Sequence, residues 1–362
     1  MSAFNRTLSV LFAVRCTINQ ENEETFMNLH ERKSKRDEKI DNVRALAILL
    51  VVFGHSIILY QTSWTLFETS VRVPFLDTIK RVIDLIQMPL FISASGYLAY
   101  YSRSRYSFGE LINKKIRRLI VPYYSISLLW LLPLRYLVGY SGYAGRSFVD
   151  VFVRCIICGE DPGHLWFLPF LFGSFIVFYF TKTVIEYLPV KELIKSVLLL
   201  LFGFLMHNEW WRIPQAILFG TVFRSIALYY VWFPFGYLIN KYQYLFERLS
   251  SNQKCFVLFL GTAFAVTYIT TLQSYSFITQ TVMVIAVFLA IPNESSRISS
   301  FFANNSFGIY LFHSPLIYIT FSLIPNSSPF IVVIINFLVF GGVAIALTAL
   351  IKNSKLNMLI GE

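Results

Sequence analysis

Apolar stretches alternate with short charged or polar segments along nearly the whole chain. They lie at about 43–60, 85–101, 119–139, 165–188, 193–207, 216–239, 255–272, 275–291, 307–324 and 329–351. A helix crosses a hydrocarbon core of about 30 Å with roughly 20 residues, or about 17 at the short end. The pattern therefore predicts an all-α polytopic membrane protein with about ten transmembrane helices. The 193–207 span is short, and the spans within 255–291 have almost no loop between them. Residues 73–84 read as an amphipathic interfacial lead-in to the second span. Residues 1–42 are a polar, basic tail broken only by Leu8 to Val14, which lies between Arg6 and Arg15. That run barely reaches signal-peptide length and has no small-residue cleavage site behind it, so a cytoplasmic tail is expected. Met27 is an alternative start, which makes residues 1–26 a dispensable extension. Residues 43–351 form the membrane domain and 352–362 a short cytoplasmic tail. No internal repeat stands out.

Composition supports this picture. Of 362 residues, 56% are hydrophobic and 14% charged, against about 25% charged in an average soluble domain. A single water-soluble core, a coiled coil and a nucleic-acid-binding surface are excluded, because the cations sit at span ends and not on an aromatic-interleaved patch. The net charge of +11 is distributed unevenly. With the N-terminus inside, the cytoplasmic side holds the Arg32–Lys39 cluster, Arg103, Arg105, Lys114, Lys115, Arg117, Arg118, Lys182, Lys191, Lys195, Lys241, Arg248, Lys254, Arg297, Lys352 and Lys355. The other side holds Arg72, Lys80, Arg81, Arg146, Arg154 and Arg212. This asymmetry places both termini in the cytoplasm. Cys155 and Cys158, with His164 six residues on, lack the second pair that a zinc site needs, so they read as two partly buried thiols and no metal is expected.

Polar residues inside a membrane are costly, and each is a candidate for function. In the first span Arg44 and His55 are eleven residues apart, which puts both on one helix face with a rise of about 16 Å. A phosphate-bearing donor entering from the cytoplasm can meet Arg44 and bring its reactive end to His55. The alternative is a histidine bonded between helices and an arginine reaching the interface. Asp41 is expected to cap this helix. Lys114, Lys115, Arg117 and Arg118 form a cationic edge before the third span, suited to lipid headgroups or to phosphates. Ser93-Ala94-Ser95-Gly96 permits close helix packing. His164 and Trp166 open the fourth span, and Tyr310 and His313 lie in the ninth, with Pro315 just after. Arg224 should face the bundle interior or water, whereas His207 and Glu209 read as solvated loop residues.

Taken in order, these segments resemble the acyltransferase-3 family of membrane acyltransferases. The resemblance covers about residues 40–351. It rests on Arg44 and His55 within Ile40-Asp-Asn-Val-Arg-Ala-Leu-Ala-Ile-Leu-Leu-Val-Val-Phe-Gly-His55, on Met88-Pro-Leu-Phe followed by Ser95-Gly-Tyr97, on Arg118-Leu-Ile-Val-Pro122, on His164-Leu-Trp-Phe-Leu168 and on Ser306-Phe-Gly-Ile-Tyr-Leu-Phe-His313. Gln87 stands where many relatives carry histidine, and lysines replace the leading arginines of the basic stretch. The resemblance implies an enzyme that moves an acyl group, usually acetyl, from acyl-CoA to a hydroxyl of a bacterial surface glycan or lipid-linked saccharide in the cytoplasmic (inner) membrane. On that basis His55 and Arg44 are the expected catalytic residues, with His55 as base or transient acyl carrier. Arg44, Lys114, Lys115, Arg117 and Arg118 are expected to hold CoA phosphates. His164, Trp166, Arg224, Tyr310 and His313 are expected to meet the acceptor. Membrane lipids are partners, nucleic acid is not. A glycan flippase, transporter or polymerase is the alternative, to be marked by repeats, paired broken helices or a large outer loop. A sensor without catalysis is a third reading.

Overall fold

Within lipid a chain this apolar must satisfy its backbone N–H and C=O groups internally, and a helix does so within one segment. In the computed structural model, which describes residues 38–101, 107–271 and 276–361, the described residues form helices and turns with no strand. The Leu8–Val14 run, the cations preceding Lys39, and Arg103 and Arg105 lie outside the described residues. Ten helical rods follow one another: α1 Glu38–Ser56, α2 Pro74–Tyr101, α3 Phe108–Leu137, α4 Gly163–Glu186, α5 Glu192–Arg212, α6 Gly220–Lys241, α7 Ser251–Thr271, α8 Ser276–Ala290, α9 Arg297–Leu323 and α10 Pro329–Lys352. Seven of them (α2 to α6, α9 and α10) are long and apolar enough to cross a membrane by length and composition. α1 bears Glu38, Lys39, Asp41 and Arg44 within its first two turns, and α8 has 15 residues.

Several local expectations shift. α1 is already helical at Glu38, where the described residues start, so Asp41 lies within the helix and does not cap it. The same helix stops at Ser56, and a single 3-10 turn covers Ile58–Tyr60, which leaves His55 in the last turn. Residues 74–84 lead into the second span without a break, because α2 runs continuously through Pro89 to Tyr101. Leu76, Lys80, Ile83, Gln87, Leu90 and Ala94 recur at helical spacing as its buried stripe, two of them polar. Lys80 tolerates burial because Asp84, one turn on, pairs with it.

α9 forms the centre, buried without interruption from Gly308 to Tyr318. Small residues let its neighbours come close. A Cβ on Gly308 would meet Thr348 Cγ2 of α10 at 2.2 Å. Between α2 and α6, a Cβ on Gly96 would fall 1.9 Å from the carbonyl oxygen of Phe233, and one on Gly236 would fall 1.9 Å from that of Ser93. Backbone contact of this kind is what small residues provide where no hydrophobic force joins helices in lipid.

α3 is wound unevenly, with π turns at Ile116–Ile120 and Ser127–Leu131. Each lies just before a proline, Pro122 and Pro133. Proline has no N–H to give the previous turn and its ring crowds that turn's carbonyl, and a wider turn relieves both. After α10 the chain folds back onto α3. The 3-10 turn Asn357–Ile360 buries Ile360, and Gly361 follows at φ 75° with its α-carbon against the Arg118 carbonyl.

Gly96→Ala or Gly236→Ala is expected to force α2 and α6 apart, costing about 2 kcal/mol or more. Gly342→Ala, with nothing within 4 Å of the new methyl, should be neutral or stabilising by up to about 1 kcal/mol. Thermal unfolding of the detergent-solubilised variants checks both.

Candidate functional site

α1 and α9 run side by side and share two polar contacts. Near the start of α1, Arg44 Nη2 donates to Ser306 Oγ at 3.0 Å, with Arg44 Nη1 3.9 Å from Asp41. Eleven residues on, His55 Nδ1 lies 3.1 Å from His313 Nε2 and 2.9 Å from the Val51 carbonyl. Hydrogen-bond logic assigns the protons. His313 Nδ1 lies 3.0 Å from the carbonyls of both Ile309 and Tyr310, which can only accept, so Nδ1 carries that ring's hydrogen. In the neutral ring Nε2 is then an acceptor. His55 Nδ1 faces this acceptor and the Val51 carbonyl, so it donates. The lone pair of His55 is thereby placed on Nε2, away from the bonds that hold the ring.

A third histidine closes the group. His164 is buried, its Nε2 donates to the Leu311 carbonyl at 3.1 Å, and its ring centroid is 5.5 Å from that of His313. Tyr310 donates its hydroxyl hydrogen to the His164 carbonyl and stacks among Phe91, Phe167 and Phe307. Three of the sequence's candidate residues, His55, His164 and His313, thus converge with Tyr310 around the buried length of α9. Trp166 stands beside them on α4, its ring 5.3 Å from Tyr229.

The sequence reading missed two clusters. The first extends from α2. Asp84 takes Lys80 and the Gln87 Nε2 (2.6 Å) on one oxygen and the Gln61 Nε2 (3.0 Å) on the other. The Gln87 side chain packs against Gly54, the residue before His55. The second cluster surrounds Arg135, 1% exposed. Its Nη1 donates to the Tyr143 hydroxyl and the Asp161 carbonyl, both at 3.0 Å, and its Nη2 to Asp161 Oδ1 (3.2 Å) and the Tyr318 hydroxyl (3.1 Å). Tyr140 donates to the other Asp161 oxygen at 3.1 Å and lays its ring under the guanidinium at 4.2 Å. Burial pushes the Tyr143 hydroxyl up to about 12, so it stays neutral and Asp161 balances the cation. The clamp fixes the approach to α4. Gly163 has φ +55°, and a Cβ there would strike Arg135 Nη2 at 2.7 Å. The next residue is His164. The same rule that singled out Arg224 applies to an arginine such as Arg135 within an apolar stretch.

At the other end of α3, Lys114, Arg117 and Arg118 line a cleft of about 560 Å³ with Glu110, Asn113, Met358 and Gly361. Lys115 turns the other way, its ammonium 3.3 Å from the centroid of the Phe175 ring. Three clustered cations and an open cleft of this size suit a phosphorylated ligand. Arg224 lies over the Trp210 ring at 4.7 Å. His207 is not a solvated loop residue: it sits within α5, half-buried, 2.6 Å from the Leu228 carbonyl. Cys155 is buried, and burial raises its thiol above the ordinary range. Among the described residues no three His, Cys, Asp or Glu side chains gather as a metal site.

Arg135→Lys removes the planar fork, and three N–H groups on a single ammonium cannot serve all four oxygens that the guanidinium bridges. A loss of about 3–5 kcal/mol is expected, as for other broken buried pairs, read as a fall in thermal midpoint in detergent. Arg154→Lys, at an exposed pair with Glu160, should change it little.

An acyltransferase-domain family model matches residues 37–352. No curated protein matches the chain, and no solved structure does. The match takes in α1 through α10, with the histidine group, the cations of the cleft and seven helices fit to cross a membrane. The chain belongs to the acyltransferase-3 family and is an integral membrane acyltransferase.

Proposed function

We propose that this protein transfers an acetyl group from acetyl-CoA to a hydroxyl of a surface glycan or lipid-linked saccharide in a bacterial cytoplasmic membrane. The observation that carries the reading is the His55–His313 hydrogen bond, which leaves a basic nitrogen on a ring held at two points. In this reading ten helices cross the membrane, with both termini on the donor side.

An acyl thioester supplies an activated carbonyl, so the protein has to bind it, admit a hydroxyl and move one proton. His55 Nε2 takes the hydroxyl proton as the acceptor oxygen bonds to the acyl carbon. The carbon–sulfur bond then breaks, and His55 returns that proton to the departing thiolate. An ester and a free thiol result, and the ring ends as it began. His313 preorganises this exchange by keeping the His55 Nδ1 hydrogen engaged, so the ring need not turn over between steps. Lys114, Arg117 and Arg118 hold the donor phosphates, the guanidinium forks being suited to bidentate contact. Arg44, oriented by Ser306, supplies a further cation on the His55 face of α1. Trp166 and Tyr229 offer aromatic faces to a sugar ring.

Arg117→Ala and Arg118→Ala should each raise the KM for acetyl-CoA about tenfold or more while leaving kcat nearly unchanged, because the contact is equal in ground and transition states. Steady-state kinetics in membranes measures this. His55→Ala should abolish transfer in protein that still reaches the membrane. Mass spectrometry of surface glycans from cells with the wild-type gene, with His55→Ala and without the gene is the test. A base-labile acetyl ester that needs both the gene and His55 supports the reading, and one retained in His55→Ala overturns it. Glycans altered in length or export, with no ester gained, point to a transporter or polymerase.

A further inference from the structure

The Asp84 cluster ends in an unfinished hydrogen bond. Gln87, 9% exposed, gives its Nε2 to Asp84 Oδ1 at 2.6 Å. A carboxylate oxygen cannot accept from a carbonyl oxygen, so Asp84 fixes which way the amide faces. The other amide atom, Oε1, is buried and has no partner among the described residues. It points at α1, 3.0 Å from where a Cβ on Gly54 would stand, one residue before His55. A buried acceptor left without a donor is unfavourable, and a ligand that brings a hydroxyl relieves it.

The surroundings suit such a ligand. The Asp84 side chain is 35% exposed, so the cluster opens on one side. Gln61 completes the polar edge at 3.0 Å from Asp84, and Lys80 leaves two further N–H groups beyond its ion pair. Carboxylate, amide and ammonium groups side by side match the hydroxyls at the edge of a polyhydroxylated ring.

We propose that Gln87 Oε1, oriented by Asp84, is the atom that accepts a hydrogen bond from the saccharide acceptor beside His55, and that Asp84, Gln61 and Lys80 form the edge of the acceptor subsite. The proposal rests on the acyl-transfer reading. Gln87 is then a binding residue and Asp84 a positioning residue acting through it. Histidine at position 87 preserves the polarity, since one ring nitrogen donates to Asp84 while the other accepts. Methionine preserves volume but offers no comparable acceptor.

The test compares wild type, Gln87→Met and Gln87→His in cells lacking the native gene. Acetyl ester on surface glycan is measured per mole of membrane-inserted protein, and acetyl-CoA binding is measured on purified protein in detergent. Gln87→Met should lose about tenfold or more of the ester with acetyl-CoA affinity unchanged, and Gln87→His should restore most of it. Wild-type ester in Gln87→Met overturns the proposal, the outcome expected if a buried water merely satisfies Oε1. Loss of acetyl-CoA binding in Gln87→Met, failure of Gln87→His to restore the ester, or absence of Gln87→Met from the membrane also overturns it. If wild-type cells and cells without the gene carry the same ester, the acyl-transfer reading itself has failed, a result distinct from the others.

Discussion

The hydrogen bond between His55 and His313 is the constraint on which the site depends. Two rings from helices far apart in sequence meet at 3.1 Å, and the backbone carbonyls of Ile309, Tyr310 and Val51 dictate where each proton sits. Those carbonyls are themselves one or two turns of helix, so the proton arrangement is imposed by secondary structure and does not depend on solvent. The price of burying imidazoles in an apolar bundle is an obligation to satisfy them, and that obligation locks the ring whose remaining nitrogen is free to react.

The rest of the bundle serves that contact. α9 is buried all round because α1, α3, α4 and α10 close on it, and Gly308 against Thr348 lets α10 approach. Arg135 ties Asp161, Tyr140, Tyr143 and Tyr318 together, and so anchors the short loop that delivers His164. The cationic cleft is built at the opposite end of the same helix. There a π turn before Pro122 and the returning segment Asn357–Ile360 set Arg117 and Arg118 along one wall. One helix thus carries a clamp for the histidine loop at one end and a phosphate-sized cationic surface at the other.

What could be read from the chain follows physical type. The apolar spans were legible because hydrocarbon thickness sets a length, and Arg44 and His55 were legible because helical periodicity sets a face. Lys115 shows the limit of reading charge alone. It belongs to the basic run, yet it packs over Phe175 and leaves the cleft to its neighbours, because one residue step turns it about 100° from Lys114 while steps of three and four bring Arg117 and Arg118 back to that face. Lys80 and Asp84 fall in the segment that reads as an interfacial lead-in, since charge in sequence signals water. The recurrence of Lys80 and Gln87 with Leu76, Ile83 and Leu90 at helical spacing is the available signal that these two lie on a buried stripe.

The sequence by itself determined that this protein is helical, apolar and membrane-bound, and it placed a histidine and an arginine on one face of the first helix. These properties are local, fixed by hydropathy, span length and the 100° step of a helix. Only the tertiary structure decided that His313 and His164 join His55, that Arg135 pairs with Asp161, and that Gln87 is turned by Asp84. Each of those depends on contacts between distant segments, whose partners are chosen by packing and by the need of every buried polar group for another.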